Sequence, residues 1–170
     1  KFSAIVSLIL ISFQSALAPL IYEKHQDKNT PTNLGRILRL FIGVGSLGGL
    51  CLALFSYETL YLFTQPNYYS ASTLMPIFYL SVLITGLGMF SPGFHLKNKT
   101  KYIALIVFGT AIVNVSLNFW LIPIFGLFGA AIATLLSTLL NDLVLFIISQ
   151  KLYPYPYAKL KIYKAVKDDP

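Results

Sequence analysis

From Tyr102 to Asn141, forty consecutive residues carry no charge. A single α-helix of that length would be about 60 Å long, twice the roughly 30 Å hydrocarbon core of a bilayer. The run therefore predicts two membrane-spanning helices joined by a tight turn. Its only candidate turn is "IPIFG", Ile122 to Gly126. Pro123 has no amide hydrogen, and Gly126 can adopt a positive φ.

The remaining apolar runs repeat the pattern. Phe2 to Tyr22 and Leu40 to Tyr57 are free of charge, and a third such region lies between Glu58 and Lys97. "TQPNYY", Thr64 to Tyr69, interrupts that region near its start with a loop signal. Five helices are expected, at about 2–22, 37–63, 70–94, 100–122 and 127–151. Residues 1–152 would form an all-α transmembrane bundle and 153–170 a basic tail. The composition agrees. Only 11% of residues are charged and the mean hydropathy is +0.70, against about 25% charged in soluble domains. The chain begins at Lys1 with an apolar run and no basic n-region, so it reads as a piece of a longer protein.

The basic residues define a topology. Lys24, Lys28, Arg36 and Arg39 fall in the first connection, and Lys97, Lys99 and Lys101 in the third. Lys151, Lys159, Lys161, Lys164 and Lys167 fall at the C-terminal end. Twelve of the 13 basic residues thus share one side, which the positive-inside rule makes cytoplasmic. The net charge of +7 reflects this topology and a preference for anionic lipid, and no nucleic-acid partner is expected. The tail "YPYPYAKLKIYKAVK" suits a segment lying on that anionic surface.

Several motifs carry no chemistry. "GVGSLG", Gly43 to Gly48, matches a dinucleotide fingerprint but sits inside an apolar helix, with no preceding strand and no following acid. Gly45 and Gly49 read instead as a small-residue stripe for close helix packing. His25 and His95 are isolated and Cys51 is the single cysteine, so no metal site or cofactor is expected. No nucleophile elbow is present, and only one carboxylate, Asp142, lies well inside a span. The chain is not expected to be an enzyme.

The polar groups inside the spans carry the functional expectation. Gly126, Ala130, Thr134, Thr138 and Asp142 step by four along the fifth predicted helix, and Gly129, Ala133, Ser137 and Asn141 form the adjoining row. Such a face meets protein or water and not lipid. Asp142 lies nine residues before Lys151, about 13 Å below that end. A carboxylate there is costly unless paired, hydrated or protonated. It reads as a coupling-ion site, proton relay or gate, or else as a buried bond between helices. Thr110, Asn114 and Asn118 repeat the spacing on the fourth helix, where amides bind substrate hydroxyls or bond across helices. The third helix carries Ser81, Thr85 and Gly88 along one side, then Pro92–Gly93, which marks a bend or a stop. Glu58 sits at an outer mouth and Arg36 and Arg39 at an inner one, where interfacial charges are ordinary.

"NVSLNFWLIPIFGLFGAAIATLLS", Asn114 to Ser137, resembles the C-terminal helical hairpin of polysaccharide-type flippases. These belong to the multidrug/oligosaccharidyl-lipid/polysaccharide exporter superfamily. "YYSASTLMPI" (Tyr68 to Ile77), "KNKTKYIAL" (Lys97 to Leu105) and "QKLYPYPY" (Gln150 to Tyr157) resemble further elements of that family. The resemblance implies the last five helices of a twelve-helix transporter with two lobes around a cavity. It implies movement of undecaprenyl-pyrophosphate-linked glycan from the inner to the outer leaflet by alternating access. The expected setting is the bacterial inner membrane, with the C-terminus cytoplasmic and a glycan polymerase or ligase as candidate partner. Cavities of that family commonly use cations to hold the pyrophosphate, yet no span here carries one at mid-depth. Those cations would lie in the absent lobe, or Arg36 and Arg39 would serve from the inner mouth. A multidrug cation exporter of the same superfamily and a non-transporting scaffold are the alternatives.

Overall fold

The computed structural model describes residues 2–23 and 30–154, which are helical with no strand. The α-helices are α1 (Phe2–Glu23), α2 (Thr30–Leu54), α3 (Ser56–Phe63), α4 (Met75–Leu87), α5 (Gly93–Leu96), α6 (Thr100–Phe125) and α7 (Leu127–Leu152). Two 3-10 segments, Pro66–Leu74 and Gly88–Phe90, flank α4. Four stretches are long and apolar enough to cross a membrane: Thr32–Leu54, Pro66–Leu96, Thr100–Phe125 and Leu127–Leu152. The described apolar part of α1, Leu8–Glu23, is shorter than those four. The connection with Lys24 and Lys28, and the tail from residue 155 onward, lie outside the described residues.

The helix expected at 37–63 starts earlier, at Thr30, and is interrupted at Phe55, where φ is −108° and ψ 22°. Phe55 N–H still donates to the Cys51 carbonyl and Thr59 N–H to that of Phe55. The interruption is therefore a local distortion within a continuing helical path. The Ser56 hydroxyl bonds back to the Ala53 carbonyl there, the competition with backbone bonding that bends helices.

The helix expected at 70–94 is α-helical only over Met75–Leu87. Pro76 sits in the first turn of α4, where its absent N–H does no harm. Beyond Leu87 the chain tightens into a 3-10 turn, bends at Ser91–Pro92 and resumes as α5. The fourth predicted helix was expected to stop at 122 but runs through Pro123 to Phe125. Proline fixes a φ that a helix accepts, and here only the last turn loses a donor. Gly126 makes the stop, with φ +58° and ψ −133°.

α4 is the centre of the bundle, packed against α7, α2 and α1, while α6 packs mainly on α7. Leu17 and Ile21 of α1, Leu34 of α2 and Phe90 form an apolar core at one end, joined by Tyr153. The Phe13, Phe41 and Phe90 rings run from α1 through α2 to the 3-10 turn, with centroids 5.8 and 5.7 Å apart. His95 meets Tyr22 edge-on at the same end. Gly93 of α5 lies against Ser149 and Leu152 of α7, so Lys97, which follows α5, and Lys151, in the last turn of α7, mark this as the basic end. The opposite end carries Tyr57 and Tyr61, each 5.7 Å from the ring of Tyr69. Tyr is enriched where the spans of membrane proteins meet the interface. α6 contains no buried residue, and Phe119 and Trp120 are 84% and 78% exposed. Apolar surface of that extent needs lipid or further helices against it.

Candidate functional site

The α6–α7 hairpin is zipped by polar side chains in antiparallel register. Thr110 Oγ1 donates to Asn141 Oδ1 at 3.1 Å, and Asn114 Nδ2 donates to Ser137 Oγ at 3.0 Å. One helical turn up α6 answers one turn down α7. Ser137 in turn donates to the Ala133 carbonyl. The Asn118 amide donates to both the backbone carbonyl and Oδ1 of Asn114. Thr110, Asn114, Asn118, Ser137 and Asn141 thus find hydrogen-bond partners inside the protein, as hydrocarbon surroundings favour.

Small residues permit the approach. A Cβ at Gly129 would collide with the Leu121 carbonyl, so α7 lies directly on the α6 backbone there. Ala133 is fully buried one turn later, and Ala130 is half-buried beside it. Gly126 has a different role. No atom lies within 4 Å of where its Cβ would be, and its positive φ makes the turn. On α2, Gly45 faces the Leu83 side chain, Gly49 faces the Tyr79 ring, and the Tyr79 hydroxyl donates to the Gly45 carbonyl at 2.7 Å. That stripe seats α4.

The other side of α7 faces α4. Asp142 is 8% exposed, and its Oδ2 is buried without a hydrogen-bond partner. Its Oδ1 lies 3.1 Å from the position a Cβ would take on Gly88. The carboxyl group thus abuts the point where α4 gives way to the 3-10 turn. Thr138, one turn before Asp142, is half-buried. Further toward the basic end, Gly93 N–H donates to Ser149 Oγ at 2.9 Å and holds α5 against α7. Arg36 and Arg39 are exposed on the first turns of α2 and are not brought to Asp142 or to the seam.

A cavity of about 60 Å³ opens beside this junction, between α1 and the Gly88–His95 segment. Gln14, Tyr22, Ser91 and His95 supply its polar lining, and Gly88 forms part of its wall. The Ser91 hydroxyl is buried with no hydrogen-bond partner. The sequence marked Gly88 and Pro92–Gly93, but gave no sign that they meet α7 and α1, because both partners are distant along the chain. The chain matches no protein-family model, no curated protein and no solved structure.

Proposed function

We propose that this chain is the C-terminal part of a transporter that moves a lipid-linked oligosaccharide from the inner to the outer leaflet of a bacterial inner membrane. The observation that carries a transport reading is the Asp142 carboxyl group, nearly fully buried, with one oxygen unpartnered, beside a broken helix. Broken helices and intramembrane acids are where transporters place their coupling chemistry. The glycan-lipid substrate rests on the family resemblance of Asn114 to Ser137, the stretch that forms the hairpin around Gly126. In this reading α1 is a fifth span, the basic end faces the cytoplasm by the positive-inside rule, and the C-terminus lies there too. Arg36 and Arg39 serve as an entrance for pyrophosphate, and the second lobe supplies deeper cations.

A multidrug cation exporter is the second reading, favoured by the same Asp142, since an unpaired acid attracts cations. One experiment separates the two. Cells lacking the complete gene should accumulate undecaprenyl-linked oligosaccharide on the cytoplasmic side and lose the surface polymer. Intact polymer without accumulation would favour the exporter, and cation sensitivity would then decide. Asp142→Asn in the full protein should abolish transport at near-normal expression. Undiminished transport would leave Asp142 a purely structural residue.

A further inference from the structure

We infer that the contact between α7 and the end of α4 is a proton-operated latch. It closes over Asp142 only while that carboxyl group is neutral, and ionisation of Asp142 parts the two helices at Gly88. This rests on the transport reading and deepens it, by naming a proton as the coupling ion and the α4–α7 contact as the part that moves.

The first observation is enclosure. Only 8% of Asp142 is exposed, and its Oδ2 is covered by this chain's own atoms with no hydrogen-bond partner. That oxygen presents no surface to water or to an ion while the contact is shut. The Asn141 side chain hydrogen-bonds the carboxyl group, but an amide is a neutral donor and brings no countercharge. A carboxylate shut away without a countercharge is so costly that it takes up a proton instead.

The second observation is where the charges stand. The segments packed on α7 are α6, α4, α5 and the Gly88–Phe90 turn. Among the described residues, their titratable groups are Lys101 and Tyr102 of α6, Tyr79 of α4 and His95 of α5. Thr110 bonds Asn141, so Lys101, nine residues before Thr110, is about 13 Å along α6 from that level. Tyr79 lies nine residues before Gly88, and its hydroxyl is bonded to the Gly45 carbonyl. His95 follows Gly93, which sits against Ser149, seven residues or about 10 Å along α7 from Asp142. Lys151 on α7 itself is nine residues away, again about 13 Å.

The third observation is the surface that Asp142 meets. Its Oδ1 lies 3.1 Å from the position of a Cβ on Gly88, and Gly88 caps the C-terminus of α4. A helix C-terminus carries partial negative charge and carbonyls that lack their intrahelical donors. A carboxylate is repelled there, whereas a neutral carboxyl group has an O–H to donate. The same surface thus holds one protonation state and rejects the other. Glycine at 88 has no side chain to keep the carboxyl group off the backbone.

The break in the helix supplies the freedom to move. α5 is held on α7 by the bond from Gly93 N–H to Ser149 Oγ, and the 3-10 turn and the bend at Ser91–Pro92 separate it from α4. α4 can therefore tilt from α7 at Gly88 while α5 stays in place. On opening, the Asp142 proton passes to a water that the parting admits, giving hydronium and a hydrated carboxylate. Closure reverses the transfer.

The test uses the full-length protein in bilayer discs, with Cys51→Ala and spin labels on Leu80→Cys of α4 and Leu143→Cys of α7. Both positions are exposed. Pulsed electron paramagnetic resonance reads the distance between the labels at pH 5 and pH 9. The parent should show one short distance at pH 5 and a distance longer by about 3 Å, one water diameter, at pH 9. Asp142→Asn and Asp142→Leu each remove the ionisable group and should keep the short distance at both values. His95→Gln removes a group that titrates in the same range and should respond as the parent does. An unresponsive parent overturns the latch. So does a response that survives in Asp142→Asn or Asp142→Leu, or one that disappears in His95→Gln. Glycan transport is not the readout, so a failed latch is told apart from a failed transport reading, which shows in the lipid extract of cells lacking the gene.

Discussion

Gly129→Ala should loosen the α6–α7 hairpin, and the structure sets the size of the effect. The added methyl would overlap the Leu121 carbonyl oxygen and carbon and come within 3.1 Å of the Ile122 nitrogen. These are backbone atoms within a helix, so no rotamer change relieves the clash and the two helices must separate. Overpacking of this kind costs about 1–3 kcal/mol. Separation also lengthens the Asn114–Ser137 and Thr110–Asn141 bonds, now 3.0 and 3.1 Å. Interhelical bonds in membranes are worth about 0.6 kcal/mol each. The better helix propensity of Ala returns up to about 1 kcal/mol. The net expectation is a loss of about 1–3 kcal/mol. Reversible unfolding in mixed micelles or bicelles would measure it, with Gly109→Ala as the matched control. Gly109 is on the same hairpin, and its Cβ would meet nothing within 4 Å. That variant should be neutral or slightly stabilised. Equal stabilities for the two variants would refute the close approach of α7 to the α6 backbone.

Gly126→Ala should destabilise by about 1–3 kcal/mol through backbone strain alone, and Gly126→Asn should fare little better. Asn tolerates the left-handed helical well, whereas ψ of −133° lies far from it; stability equal to the parent in the same unfolding assay would count against the turn geometry. A double-mutant cycle of Asn114→Leu with Ser137→Ala should give a coupling of about 0.6 kcal/mol, and no more than about 1.7. Zero coupling would mean the two side chains do not meet. Tyr79→Phe removes the donor to the Gly45 carbonyl and should cost about 1 kcal/mol. The loss should vanish if the α2–α4 contact is already opened by Gly45→Val.

The hairpin was legible in the sequence because its signals are local. Forty uncharged residues, a proline and a glycine locate two helices and a turn without any tertiary information. Only the identity of the stopping residue needed the structure, since proline in a last turn is compatible with helix. The rows at spacing four on α7 were equally visible, but their division of labour was not. Gly129, Ala133, Ser137 and Asn141 face α6, whereas Asp142 faces Gly88. Which of two adjoining rows meets which neighbour depends on where α4 sits. Composition is silent on that. The break after Leu87 was likewise only half visible. Pro92 announced a bend, but the tightening into 3-10 geometry at Gly88–Phe90 comes from packing against α1, α2 and α7.

The absence of buried residues on α6 bears on how the protein enters the membrane. As the chain emerges, α6 leaves the insertion machinery before α7 exists as a helix. At that moment Thr110 and Asn114 have no partners across the hairpin, since those partners are Asn141 and Ser137. A helix with two Asn side chains near its middle is a weak candidate for lone residence in lipid. The single-residue turn at Gly126 resolves this, because α7 follows with almost no delay and in the right register. The two helices are therefore expected to partition into the bilayer together, as one insertion unit, with the apolar flank of α6 leading into lipid.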